Sequence, residues 1–349
     1  MKEKIVFTGG GTAGHVMPNV ALFPYFDDCE LHYIGSNGME KKIISAFDKV
    51  TFHEIPCVKL IRSLSIKNVL IPFRLSKSIK KATDVLRQIK PKFVFSKGGF
   101  VGLPVAKACK KLGIPLFLHE SDKTMGLSNK LAKSSALTVF TCFDTIVDEK
   151  ARCVGAPIRK QIYQGNALRG LNLLNATRND KPFLLFVCGS SGAKSINDFV
   201  FSSLSALTEK YNVIHVTGKN EKRIYKKKDY YPLPFCDRIE DLYALSSLVV
   251  TRGGANALSE LIALKKPCVC IPLAQNTRGD QIQNAEYYES KGALIKLDQD
   301  RLTVETLLSA LDNLEKNRAQ FLRNMQNLRV DGTQAIVENL RKRIEVLAK

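Results

Sequence analysis

The sequence predicts an α/β protein of two Rossmann-like domains, each with a parallel sheet. Three observations carry this reading. The chain has 349 residues, and at ~100–200 residues per domain that suggests two domains. Short apolar runs alternate with longer amphipathic ones, the pattern of βαβ units and so of parallel sheets. The chain also repeats one device, a strand that runs into a glycine turn and then a helix. Val6-Phe7-Thr8-Gly9-Gly10-Gly11-Thr12-Ala13-Gly14-His15 does this first, and Phe186-Val187-Cys188-Gly189-Ser190-Ser191-Gly192-Ala193-Lys194-Ser195 does it again.

Strand-like runs follow in order at 4–8, 31–35, 93–96, 116–119 and 137–140. They resume at 183–187, 212–217, 248–251, 268–272 and 293–297. Helical spacing fills the gaps, for example at 103–112, 126–133, 195–210 and 255–264. The N-terminal domain is set at 1–158 and the C-terminal domain at 182–325. Between them, 159–181 is polar and rich in Asn, Arg and Gly, and reads as a linker. The tail, 326–349, is expected to be helical and to pack back toward the N-terminal domain.

Hydrophobic residues make up 45% and charged residues 25%, which suits a chain with a buried core and argues against disorder. No run approaches the ~18 apolar residues of a membrane span, and the first apolar run is too short for a signal peptide. The nine cysteines are scattered without a Cys-x-x-Cys pair and read as reduced thiols of a cytosolic protein. The five histidines do not cluster with them, so no metal site is expected. The net charge is +20, which bears on partners and not on fold. Nucleic acid, an anionic membrane and phosphorylated ligands are the candidates.

Three turns carry candidate chemistry. At 9–15, glycines let backbone N–H groups approach a ligand, the helix start favours anions, and His15 titrates near neutral pH. At 189–192, small hydroxyl residues suit a diphosphate, and the spacing of an NTP-hydrolysing P-loop is absent. At 251–260, a strand ends, Gly253 and Gly254 turn the chain, and Glu260 lies on the helix that begins there. Glu260 reads either as helix-end charge compensation or as a carboxylate on a ribose diol. His119-Glu120-Ser121-Asp122 and Asp280-Gln281-Ile282-Gln283-Asn284-Ala285 add polar groups beside strand ends, where open α/β sheets bind ligands.

The set of motifs resembles the MurG family of bacterial N-acetylglucosaminyltransferases. The resemblance rests on 10–15, Lys97-Gly98-Gly99-Phe100, 119–122, Gly126-Leu127-Ser128-Asn129-Lys130, 189–193, 252–255 and 279–285, and it spans nearly the whole chain. It implies a GT-B fold, with the two Rossmann-like domains facing a cleft. It implies inverting transfer of GlcNAc from UDP-GlcNAc to lipid I, undecaprenyl-diphospho-MurNAc-pentapeptide, in peptidoglycan synthesis. Gly189, Ser190, Ser191 and Gly192 would hold the diphosphate. Ala255, Asn256, Ala257, Leu258, Ser259 and Glu260 would hold the ribose and phosphate, and the Cys236 segment would face uracil. Gln281, with Asn284 nearby, would contact GlcNAc. Thr12, Ala13, Gly14, Asp122 and Arg159 match donor-contacting positions. The chain departs from the family pattern at Ala13, where Gly is commonest, and at Asp122, where many relatives have Asn.

Inversion implies one in-line displacement, which needs a base and a stabiliser for departing UDP. His15 is the first candidate for the base and Glu120 the rival. With a helix N-terminus holding the diphosphate, neither metal nor cofactor is expected. From 59 to 92, ten cations face a single acid, Asp84, with aliphatic residues between them. Leu64, Ile66, Lys67, Leu70, Ile71, Phe73, Arg74 and Lys77 are read there as a peripheral patch for an anionic membrane. This places the protein on the cytoplasmic face of the cell membrane and leaves cell-wall synthesis and division proteins open as partners. Another GT-B enzyme, either a glycolipid glycosyltransferase or a UDP-GlcNAc 2-epimerase, is the first alternative. A basic nucleic-acid-binding protein is the distant one, disfavoured by the absence of Trp and by Phe73 being the only aromatic in the basic stretch.

Overall fold

Strand residues with apolar side chains on both faces must be covered on both faces, and this dictates the layering of each half. The computed structural model describes residues 2–57, 71–189, 192–223, 225–273 and 279–346. Two units emerge, 1–159 with 331–349 and 160–330.

In the first unit the order is β1 (Lys4–Thr8), α1 (Ala13–Leu22), β2 (Glu30–Gly35), α2 (Met39–Ile44), β3 (Val50–Glu54), α3 (Ile71–Ile89), β4 (Phe93–Ser96), α4 (Gly99–Leu112), β5 (Leu116–Glu120), α5 (Leu127–Ala132), β6 (Thr138–Thr141) and β7 (Ala151–Cys153). The sheet runs β3-β2-β1-β4-β5-β6-β7 and its pairs are parallel. Ile5 and Phe7 pack with Val16 and Val20 of α1 on one face. Val6, Ile34 and Val94 pack with Val85, Leu86, Val101 and Val105 of α3 and α4 on the other.

The second unit contains α6 (Ala167–Leu174), β8 (Phe183–Val187), α7 (Lys194–Lys210), β9 (Asn212–Val216), β10 (Tyr230–Leu233), α8 (Ile239–Leu245), β11 (Leu248–Thr251), α9 (Ala255–Ala263), β12 (Cys268–Cys270), α10 (Asp280–Ser290), β13 (Ile295–Lys296), α11 (Val304–Lys316) and α12 (Arg318–Gln326). Its parallel sheet runs β10-β9-β8-β11-β12-β13. Leu184, Phe186 and Val250 meet Ile196, Val200 and Leu204 of α7 and Leu307 and Leu311 of α11. The last helix, α13 (Thr333–Val346), belongs to the first unit. There Ile336, Val337 and Leu340 join the α1 face, each burial contributing about 2 kcal/mol. Arg341 also pairs with Asp28.

The stretch 159–181 is not a linker. Residues 160–164 form a 3₁₀ turn and α6 follows, both packed on α8. Its glycines permit close approach: a Cβ at Gly165 would lie 2.1 Å from the Glu240 carbonyl oxygen, and one at Gly170 2.7 Å from that of Asp241. Its polar residues satisfy a buried acid. The Asp241 carboxylate accepts from the Asn166 N–H at 2.8 Å and from Arg169 Nε and Nη2 at 3.1 and 2.8 Å. Both residue types that read as loop chemistry therefore serve one helix–helix contact.

Candidate functional site

Each sheet grows outward in two directions from one switch point, between β1 and β4 in the first unit and between β8 and β11 in the second. Loops at the C-terminal strand ends beside such a point form the usual ligand crevice of an open α/β sheet. Among the described residues, the glycine turns and polar motifs singled out in the sequence lie at C-terminal strand ends, in the loops that follow them or in the helices after those loops.

In the first unit, the turn after β1 packs directly on the turn after β4. A Cβ at Gly99, where φ is +74°, would lie 2.3 Å from the Gly10 carbonyl oxygen. The Gly11 N–H donates to the buried Glu40 carboxylate at 3.2 Å. Much of this glycine signature is therefore packing. Thr12 and Gly14 are exposed and Ala13 is half-buried. His15, also half-buried, sits in the first turn of α1 with Nδ1 3.0 Å from Thr12 Oγ1.

Glu120 stands in a different environment. It is buried, and its carboxylate accepts three N–H donors: Asp122 N at 3.2 Å, Gly126 N at 2.8 Å and Asn129 Nδ2 at 2.9 Å. Burial pushes its carboxyl group above the ordinary range, while these bonds pull it back. The side chain thus closes the loop 120–126 and ties it to α5. Asp122, half-buried on that loop, and Arg159, just past β7, are the other polar groups anticipated here.

Sequence reasoning passed over the residue at the centre of this edge. Lys97 is buried, with Nζ 2.5 Å from His119 Nδ1 and 2.6 Å from Ser121 Oγ. His119, fully buried, holds the Gly155 carbonyl through Nε2 at 2.9 Å. Burial lowers the Lys97 ammonium to about 8 against the pull of Cys142, Glu120 and Asp122. Burial and Lys97 together hold His119 well below its usual value. Both residues stood inside recognised motifs, but a lysine ordinarily reads as surface.

In the second unit, Gly189 and Gly192 both have positive φ, and the Gly192 N–H closes the turn on the Gly189 carbonyl at 3.1 Å. Ser190 and Ser191 lie outside the described residues. The turn delivers α7, whose N-terminus is the anion-favouring end of a 17-residue helix. After β11, Arg252 is buried and donates to the Ile271 carbonyl at 3.0 Å and to Ser195 Oγ at 2.8 Å. In α9, Ala255, Leu258 and Ser259 are buried, whereas Asn256, Ala257 and Glu260 are partly exposed. The turn thus offers a ligand its backbone and those three side chains. Asn284 is fully buried and donates to the Gly253 carbonyl at 3.1 Å, and Gln281 Oε1 accepts the Leu273 N–H at 3.0 Å. Cys236 follows β10, with its thiol pushed up by burial, and Lys219 Nζ sits 4.1 Å over the neighbouring Phe235 ring.

Of the basic stretch, Leu64, Ile66, Lys67 and Leu70 lie outside the described residues, as does the side chain of Ile71. Phe73 is 76% exposed at the start of α3, and Arg74 and Lys77 are exposed beside it. Among the described residues, no helix is long and apolar enough to cross a membrane, and no group of three or more potential metal ligands is found.

Residues 5–141 match the glycosyltransferase family 28 N-terminal domain, and residues 183–340 match the family 28 C-terminal domain. The chain is 40% identical to a Lachnoclostridium phytofermentans protein over 97% of this chain and 99% of that one. That protein is named UDP-N-acetylglucosamine--N-acetylmuramyl-(pentapeptide) pyrophosphoryl-undecaprenol N-acetylglucosamine transferase. A Lachnospira eligens protein of the same name is 41% identical over 93% and 94%. Among solved structures, Acinetobacter baumannii MurG aligns at a TM-score of 0.76 and 23% identity, covering 97% and 99% of the two chains. The UDP-GlcNAc 2-epimerase of Neisseria meningitidis aligns at 0.63 and 13%, over 98% and 100%. At these identities the structures speak for the GT-B fold alone.

Proposed function

Because the chain belongs to glycosyltransferase family 28 and, within it, to the MurG transferases, we propose that it moves GlcNAc from UDP-GlcNAc to the 4-hydroxyl of MurNAc in lipid I, giving lipid II for peptidoglycan. The observation that carries this is the 40% identity, over nearly the full length of both chains, to relatives that bear this transferase name. The 2-epimerase alternative has only a shared fold in its favour.

The roles of individual residues follow from their environments. His15 is the base that takes the acceptor proton. It is partly exposed on a switch-point turn, in the first turn of α1, with Nδ1 3.0 Å from Thr12 Oγ1. Glu120, with three donors on its carboxylate, organises the loop that presents Asp122. The departing diphosphate is met by the turn 189–192 and the N-terminus of α7, with Arg252 holding that helix end through Ser195. Asn256 and Glu260, partly exposed in α9, are the residues this reading assigns to the ribose, and Asn284 donates to the Gly253 carbonyl that shapes the turn. This field on the diphosphate makes a metal unnecessary for leaving-group departure.

The acceptor is lipid-linked, and the exposed Phe73 between cations fits an interfacial anchor at an anionic membrane surface. The protein then works as a peripheral enzyme on the cytoplasmic face. The deciding experiment is incubation with UDP-GlcNAc and a short-chain lipid I analogue in the presence of EDTA. The expected result is the β-1,4 disaccharide product. Release of a 2-epimerised sugar, or transfer from UDP-glucose in preference, would overturn the reading.

A further inference from the structure

Lys97 is a buried cation placed where five strand ends meet. Its N–H bonds the Thr8 carbonyl at the end of β1 at 2.9 Å, and its Cβ lies 3.1 Å from where a Gly9 Cβ would stand. Gly98 and Gly99 follow it, Gly98 against the Asn129 side chain and Gly99 against Gly10. Its ammonium reaches His119 Nδ1 at the end of β5 and Ser121 Oγ just beyond. An ammonium only donates, so His119 Nδ1 must accept, and Nε2–H is left to donate to Gly155 beyond β7. Cys142, past β6, has Sγ 3.9 Å from the same ring. The carboxylates that act on the ammonium are Glu120 and Asp122, and among the described residues no ion pair with a carboxylate neutralises it. A buried ammonium is costly, and its two hydrogen-bond acceptors offset only part of that cost. The second unit places a buried cation at the same topological position, Arg252 after β11, also followed by two glycines and a helix.

We propose that Lys97 is a positioning residue of the transfer reaction, bracing the loop 119–122 against both glycine turns through His119 and Ser121. This rests on the reading above, in which that loop meets the sugars. Lys97 touches no substrate. It acts through Ser121 and His119.

The test uses the full chain, UDP-GlcNAc and the lipid I analogue between pH 6 and 10. Lys97→Met keeps the volume and removes the charge. It is expected to melt as a folded protein and to lose at least tenfold in kcat at pH 7. The wild-type rate is expected to fall above pH 8 as the ammonium deprotonates, and Lys97→Met is expected to lack that limb. A Lys97→Met enzyme within twofold of wild type, or one that keeps the alkaline limb, overturns the proposal. Should Lys97→Met fail to fold, Ser121→Ala takes its place. It keeps the ammonium, and it must lower kcat and move the alkaline limb to lower pH; an unmoved limb overturns the proposal. A wild-type enzyme that forms no disaccharide sinks the functional reading with it, whereas an active wild type beside an indifferent Lys97→Met sinks this inference alone.

Discussion

Replacing Glu120 by Gln separates the two roles a buried carboxyl group can have at this edge. Oε2 accepts from Gly126 N and Asn129 Nδ2, and Oε1 accepts from Asp122 N. A glutamine amide can keep its oxygen where two donors converge, but its NH₂ must then oppose the Asp122 N–H. One charge-assisted bond is lost and a donor is left facing a donor, a cost of about 2–3 kcal/mol. Relief of the buried charge offsets part of this, leaving a net loss of about 1–2 kcal/mol. For a unit of this size, that lowers the melting temperature by roughly 2–8 °C. The pH dependence has a definite sign. Burial raises this carboxyl in the fold, so its contribution is fully present below the unfolded-state value and is lost as pH rises through the raised one. Wild type therefore loses stability across that window relative to Glu120→Gln. Calorimetry from pH 4 to 7, paired with transfer kinetics, reads both effects. An organiser predicts a lowered melting temperature, a kcat loss of about 10–100-fold and an unchanged acid limb. An unshifted melting temperature together with more than a 1,000-fold loss and a missing acid limb would refute the reasoning and make Glu120 the base.

His15→Ala should lower kcat by about 10²–10⁴-fold with UDP-GlcNAc binding intact by calorimetric titration, and a loss under fivefold would exclude it as the base. Gly192→Ala puts a Cβ 2.0 Å from the Thr217 carbonyl oxygen at a φ of +71°. It should raise the KM for UDP-GlcNAc at least tenfold while acceptor KM holds. Arg252→Met leaves the buried Ile271 carbonyl and the exposed Ser195 Oγ without their donor, at about 1–3 kcal/mol for the buried carbonyl, and should lower both the melting temperature and the affinity for UDP. Arg74→Gln with Lys77→Gln should weaken binding to anionic vesicles about 30-fold at low salt, with little change on zwitterionic vesicles in the same sedimentation assay.

The interior strands were legible because their residues are apolar on both faces, as at Phe183–Val187 and Leu248–Thr251. The strands that sequence reading missed, Val50–Glu54, Ala151–Cys153 and Tyr230–Leu233, all lie at sheet edges. An edge strand is covered on fewer sides, so His53, Arg152 and Pro232 sit in strands without an apolar signature. The stretch 159–181 misled for a related reason. Gly165 and Gly170 are there for helix contact and Arg169 for a buried acid, and composition cannot distinguish those uses from a linker. At the site, the glycine turns were visible by spacing. Which polar residues face inward was not, since Glu120 and Asn284 read as ligand groups until their hydrogen bonds to the protein's own backbone and side chains are seen.

The two units solve one electrostatic problem in parallel. Lys97-Gly98-Gly99 follows β4 and Arg252-Gly253-Gly254 follows β11, the first strand on the far side of each switch point. Each cation reaches outward to the end of the next strand, Lys97 to His119 near the end of β5 and Arg252 to Ile271 just after β12. Each glycine pair allows contact with a neighbouring turn or helix, Gly99 with Gly10 and Gly253 with Gln281. The strand after a switch point must leave room for a ligand, so its loop cannot be filled by a large apolar side chain. A long cation that lies inward and bonds carbonyl and hydroxyl groups holds that loop rigid while adding a positive field at the sheet's C-terminal edge. The difference between the pair follows from geometry. Arg252 spans two partners, the Ile271 carbonyl and Ser195 Oγ, with a planar fork suited to fixing a helix end. Lys97 is a compact charge suited to a cluster of single acceptors around a carboxylate loop. Part of the +20 net charge is therefore internal, committed to the frame of both sites and unavailable to any membrane or partner.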